Sequence, residues 1–134
     1  MPRTEYGLNP GTGLSGAESR KALARAAIDA ETSAAILSGF SYEVDSEVLH
    51  FSYDRDDQQN FADTANACIL YTQGTPGVPD SVTWNAYRGA ERELVRLTFT
   101  AESFLRLYTT ALTHKATCMA EGGAKKAALE GKEV

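Results

Sequence analysis

An alanine-rich segment stops at Gly39 and turns at once into an aromatic strand, and this junction restricts the fold more than any other stretch of the chain. Helix formers fill Ile28-Asp29-Ala30-Glu31-Thr32-Ser33-Ala34-Ala35-Ile36-Leu37. A glycine just beyond a last turn can take the left-handed conformation that closes a helix. Phe40, Tyr42 and Val44 then alternate with Ser41 and Glu43 at the strand period. The junction fixes an architecture and carries no reactive group.

The same logic extends in both directions. Helix formers begin at Ala17, and Leu23, Ala27, Ala30, Ala34 and Leu37 trace one apolar stripe, widened by Ile28, Ala35 and Ile36, for a first helix ending near Ser38. Strands are expected at 40–44 and 48–53, with Asp45-Ser46-Glu47 as the turn. Asp54, Asp56 and Asp57 then open a helix through Phe61, Ala65, Cys68 and Thr72, placing acids at the positive end of the helix dipole, and Gly74 closes it. After a breaker-rich loop at 74–80, Val82, Trp84 and Ala86 face Val95, Leu97 and Phe99 in a second hairpin, across a polar turn at Arg88 to Glu91.

Thr100 caps a final helix with Phe104, Tyr108, Ala111, Leu112, Lys115 and Met119 on one face and Leu105 and Leu107 beside it. Gly122-Gly123 is expected to fray or break that helix, leaving 122–134 as a tail that is flexible or ordered by a partner. The order α-ββ-α-ββ-α predicts an α+β domain over 18–121, with antiparallel hairpins in one sheet and helices on one face. Trp84, Phe51, Phe99, Phe104 and Phe61 are the expected core anchors.

Residues 1–17 hold Pro2, Gly7, Pro10, Gly11, Gly13 and Gly16, too many breakers for regular structure. They read as an extended docking arm. Tyr6, Leu8 and Leu14 are its candidate partner-binding anchors, apolar side chains spaced along a segment that no core requires.

Composition narrows the function classes. At 134 residues the chain is one domain's worth. Its net charge is −5, with Arg92, Arg96, Lys115, Lys125 and Lys126 scattered among acids rather than gathered on one face, which argues against a nucleic-acid partner. No apolar run approaches the roughly 20 residues of a membrane span, so no membrane partner is expected. The amino terminus lacks the apolar stretch of a signal peptide, which points to synthesis in a cytoplasm. Cys68 and Cys118 fall among apolar neighbours on helices and read as two free buried thiols, although the spacing leaves open that their sulfurs approach.

Three arrangements resemble functional motifs. Gly11-Thr12-Gly13-Leu14-Ser15-Gly16 matches a dinucleotide-binding pattern, but no buried strand delivers it and no parallel βαβ unit receives it. Asp54-Arg55-Asp56-Asp57 begins like a calcium loop. With Asp54 first, the obligatory glycine position holds Gln59 and the closing glutamate position holds Ala65, so helix capping is the better reading. His114 and Cys118, four residues apart, put an imidazole and a thiol on one side of a helix. Their neighbours Ala116, Thr117 and Met119 supply packing rather than the electropositive setting a catalytic thiol needs. No metal, nucleotide or other cofactor is expected, and the chain reads as a non-enzyme.

Ile28-Asp29-Ala30-Glu31-Thr32 leading to Ile36-Leu37-Ser38-Gly39-Phe40-Ser41-Tyr42 resembles the start of a domain of unknown function found in tailed-phage and prophage tail genes. Gln58-Gln59-Asn60-Phe61-Ala62 is similar to the opening of that domain's middle helix, Trp84-Asn85-Ala86 to its second hairpin, and Leu97-Thr98-Phe99-Thr100-Ala101-Glu102-Ser103-Phe104 to the strand entering its last helix. The likeness covers roughly residues 25–121. Such domains occur in or beside tail-fibre and tail-fibre-assembly proteins. The resemblance therefore implies a virion-associated tail or tail-fibre accessory subunit, with phage tail, baseplate or tail-fibre proteins as partners and oligomers formed only within the assembly. The alternative it implies is an assembly chaperone or adaptor absent from the mature particle.

Overall fold

The computed structural model describes residues 16–131. Seven elements follow in the order α1 (Gly16–Leu37), β1 (Phe40–Val44), β2 (Glu47–Phe51), α2 (Arg55–Thr72), β3 (Ser81–Arg88), β4 (Glu93–Thr100) and α3 (Ala101–Glu130). The strands form one antiparallel sheet in the order β1-β2-β3-β4. The α+β class and its element order are those expected from the sequence.

Local chemistry sets the boundaries. Gly39 has φ +87, and a Cβ there would lie 2.4 Å from the Phe51 carbonyl oxygen, so the helix-to-strand junction needs both the left-handed backbone and the missing side chain. Asp45 and Ser46 both have positive φ, making a two-residue turn whose twist suits a hairpin, while Glu47 pairs with Val44 inside β2. The first turn is thus one residue shorter than expected, and β2 ends at Phe51 rather than Tyr53. The second turn spans Gly89 to Arg92, one residue later than expected, with Gly89 and Arg92 at positive φ.

Both later helices start in a capping box. Asp54 accepts the Asp57 backbone N–H at 2.8 Å and Asp57 accepts that of Asp54 at 3.0 Å; Thr100 and Ser103 make the same exchange.

The core lies between one sheet face and helices α2 and α3. Phe51, Phe61, Phe104, Leu49 and Leu107 are its largest fully buried side chains. Aromatic contacts tie the layers together, with Phe61 of α2 at 4.6 Å and Phe104 of α3 at 5.0 Å from Trp84 on β3, and Phe40 stacked on Phe51 at 5.6 Å. In the second hairpin Val82 pairs with Phe99, Trp84 with Leu97 and Ala86 with Val95, a register set by the later turn and not by the one expected at Arg88 to Glu91. The two hairpins meet more loosely. His50–Tyr87 is the single β2–β3 bridge.

Two expectations about the helices are corrected. α3 does not break at Gly122-Gly123 but continues to Glu130, because α1 runs antiparallel against its second half. Gly122 is buried there, and a Cβ on it would lie 2.2 Å from Thr32 Oγ1, so the absent side chain is what lets the helices approach. Lys126–Asp29 at 2.8 Å, Lys125–Glu31 at 2.6 Å and Arg25–Glu130 at 2.8 Å bridge the same pair.

The second correction concerns faces. Leu23, Ala27, Ala30, Ala34 and Leu37 are exposed, and α1 meets α3 instead through the row containing Ile28, Thr32 and Ile36. On α3, Phe104, Leu107 and Ala111 are buried, whereas Leu112 and Met119 are exposed. Periodicity finds apolar rows; when an alanine-rich helix carries two, it does not rank them.

Candidate functional site

The anchors expected from sequence, Tyr6, Leu8 and Leu14, lie outside the described residues, as does the glycine pattern up to Ser15. Gly16 opens α1. The candidate sites among the described residues are a polar cleft, the reactive side chains and the helix pair.

The cleft of about 340 Å³ opens where β2 and β3 part beyond the His50–Tyr87 bridge. Ser52 forms one lip, α2 contributes Asp57, Asn60 and Thr64 at one-face spacing, and the outward residues Thr83, Asn85 and Tyr87 of β3 with Arg96 of β4 form the floor. Arg96 makes no ion pair among the described residues. Asp57 is already committed to the capping box through one oxygen. One cation, one anion, two amides and several hydroxyls make a polar, nearly neutral surface without a nucleophile beside a base. This cleft can hydrogen-bond a ligand.

His114 and Cys118 are brought together, as their spacing suggested, but in a structural role. The Ile36 carbonyl oxygen lies 3.1 Å from His114 Nε2 and can only accept, so that nitrogen carries the proton. In the neutral ring Nδ1 is then the acceptor facing Cys118 Sγ at 3.9 Å. The imidazole packs edge-on to Tyr53 and tilted to Phe40, joining the end of α1 to the aromatic core. Burial pushes the Cys118 thiol up, and the Glu121 charge pushes it further. A catalytic thiol needs the opposite shift.

The other reactive groups follow the same pattern. Cys68 is buried, free and raised by burial, while Cys118 is only half-buried, in contrast to the expectation of two buried thiols. His50 is pushed down by burial and by Arg92. The Asp54 cluster serves the α2 cap. Among the described residues no group of three His, Cys, Asp or Glu side chains could hold a metal ion, and no helix is long and apolar enough to cross a membrane.

What remains is the α1–α3 pair. α1 runs for about 33 Å at 1.5 Å per residue, yet none of its residues is fully buried. Leu23 is 72% exposed, Met119 56% and Leu112 46%, so the pair offers water large apolar side chains that its own contacts do not cover.

Fold and surface define a small α+β domain with an antiparallel helix pair beside its core, its chemistry-bearing side chains mostly tied into the architecture. By sequence the chain belongs to the family described as a domain of unknown function, DUF4376, whose model matches residues 19–134. The match includes residues 122–134, the segment expected to be a tail. No curated protein and no solved structure matches the chain.

Proposed function

We propose that this protein works by docking rather than by catalysis, as a tail or tail-fibre accessory subunit of a tailed phage that attaches to tail, baseplate or tail-fibre proteins. The observation that carries the docking reading is the exposure of Leu23, Leu112 and Met119 on helices that also stand against each other. The reactive side chains support it from the other side, since the thiols are raised and His114 is bound to a backbone carbonyl. The tail assignment rests on the resemblance at residues 25–121. On this reading the protein would work in host cytoplasm during assembly and belong to the virion afterwards.

Mass spectrometry of purified particles tests the reading. The protein's peptides should co-purify with tail components at constant stoichiometry. Peptides found in the infected lysate but absent from particles would favour an assembly chaperone or adaptor. Removing residues 1–15, which include Tyr6, Leu8 and Leu14, should leave the domain folded; unchanged retention on purified tail subunits would place docking on the helix pair, and lost retention would place it on the arm.

A further inference from the structure

β3 is an inner strand with one side left open. β4 pairs with it along its whole length, from Ser81–Thr100 to Arg88–Glu93, whereas β2 bridges it only at His50–Tyr87. Backbone groups of an antiparallel strand point alternately to its two sides, so every second residue between Ser81 and Asn85 turns its N–H and C=O toward the gap. Among the described residues no group outside the sheet answers them.

The gap has walls. The polar cleft is lined by the consecutive residues Thr83, Trp84 and Asn85, whose side chains leave opposite faces of the sheet, so it lies along the edge of the strand rather than over one face. A second hollow of about 320 Å³, lined by Ser81 and Val82, continues it towards Pro79, and Thr64 of α2 borders both. Asn60, Thr64 and Ala67, at intervals of four and three, form the helical wall. Strand edge and helix thus flank a trough where β2 would have continued.

The polar side chains of this trough are uncommitted. Asn60, Thr64, Thr83, Asn85 and Arg96, the cross-strand neighbour of Asn85, make no hydrogen bond or ion pair among the described residues. Elsewhere on α2, Gln58 and Gln59 donate to the Tyr53 carbonyl and Asp63, and Thr72 returns its hydroxyl to the Ile69 carbonyl. A row of alternating backbone donors and acceptors is met in full only by another extended backbone. A saccharide would satisfy the side chains and leave the strand edge unpaired.

We infer that this groove takes an extended polar peptide segment of another protein, added as a strand to the open side of β3 beside α2, with an acidic side chain opposite Arg96. Main-chain hydrogen bonds carry the affinity, and the side chains along the walls select polar residues. Ser81–Asn85 covers about 16 Å at 3.3 Å per residue, which suits a ligand of similar length in residues. The inference goes beyond the docking role proposed above and does not depend on the helix pair or the arm.

Two measurements on the 134-residue chain test it. In amide exchange followed by nuclear magnetic resonance, every second amide from Ser81 to Asn85 should exchange rapidly while its neighbours, bonded to β4, stay protected. Slow exchange at all of them would mean that the edge is already closed, and would overturn the inference. The second measurement titrates acetyl-Thr-Val-Thr-Glu-Thr-Val-Thr-amide, whose β-forming residues favour an extended chain; since main-chain bonds carry the affinity, its sequence matters little. At saturation it should slow the gap-facing amides about ten-fold, and Arg96→Ala should weaken its binding by up to about five-fold. N-methylation of one alternate set of peptide amides should abolish binding, and that of the other set should leave it intact. Thr64→Phe, which fills the junction of the two hollows, should abolish binding with unchanged circular dichroism; if that variant fails to fold, the two methylated peptides decide. No effect of the peptide at millimolar concentration, equal binding by its two methylated forms, or the same changes produced by maltose and not by the peptide would each overturn the inference.

Discussion

The aromatic core and the α1–α3 pair are held by different forces, although α3 belongs to both. In the core, Phe51, Phe61 and Phe104 are removed from water and in ring contact with their neighbours. Along the second half of α3, alanine, glycine and partly exposed ion pairs do the holding, and α1 contributes no fully buried residue. Burying a large aromatic side chain contributes kilocalories, whereas an exposed ion pair adds about 0–1 kcal/mol and weakens with salt. The core is therefore held mainly by burial, and the helix pair by weaker, partly exposed contacts.

The largest effect should come from removing a core aromatic. Phe104→Ala deletes the ring that touches Phe61, Trp84 and Phe99 together, and the cavity should cost about 3–5 kcal/mol in denaturant unfolding. Leu23→Ala, at a side chain 72% exposed on the outer face of α1, should change stability far less. Comparable losses would show that the two regions are one cooperative unit, and the contrast drawn above would fail.

Gly39 joins the regions, so its substitution comes next. A β-branched side chain in the left-handed conformation costs about 1–2 kcal/mol, and the clash with the Phe51 carbonyl oxygen at 2.4 Å adds to it. Gly39→Val should lower the unfolding midpoint clearly, and a normal midpoint would mean that the junction bends without cost.

Gly122→Ala probes the helix pair itself. Alanine favours the helix by about 1 kcal/mol over glycine, but its Cβ would meet Thr32 Oγ1 at 2.2 Å and push α1 outward. Amide exchange should accelerate along α1 while core strands keep their protection. Adding Thr32→Ala removes the clashing hydroxyl and should restore protection, a coupling on the order of 1 kcal/mol. Exchange that accelerates equally in β3 and α1 would contradict a separately opening helix pair.

This contrast also marks what could be read in the sequence. Caps and hairpins were legible because their signals are local: Gly39 before Phe40, Asp54 before α2, Thr100 before α3, and the alternation that put Val82, Trp84 and Ala86 on one face with Val95, Leu97 and Phe99, whereas the register that pairs them depends on a turn one residue later than expected. The continuation of α3 was not, because the reason Gly122 is tolerated lies across space at Thr32, ninety positions earlier in the chain. The two rows of α1 were both visible, yet alanine packs as readily inward as outward, and only the partner decides. The polar cleft left no signal, since it arises where β2 and β3 separate after one bridge. The candidate anchors Tyr6, Leu8 and Leu14 precede the described residues.

The smallest expected effect concerns the loose seam between the hairpins, where Arg88 grips Glu47 through two hydrogen bonds, one of them Nη2 to Oε1 at 2.9 Å, and also lies 3.6 Å from Glu93. That guanidinium holds the Glu47 carboxyl below its ordinary value, chiefly through the hydrogen bond. The sign follows from linkage: a carboxyl with a lower pKa in the folded state contributes stability above its unfolded pKa and loses it as pH falls through the folded value. Wild-type stability should thus decline in acid below the ordinary glutamate range more steeply than that of Glu47→Gln, with Arg88 charged throughout. The pair is solvent-exposed, so the difference should be slight and should shrink with added salt. Carboxyl chemical shifts followed through the acid range provide the direct measurement. A Glu47 midpoint at or above the ordinary value would mean that the ion pair does not fasten the two hairpins, leaving the single His50–Tyr87 bridge and the aromatic core to hold the sheet together.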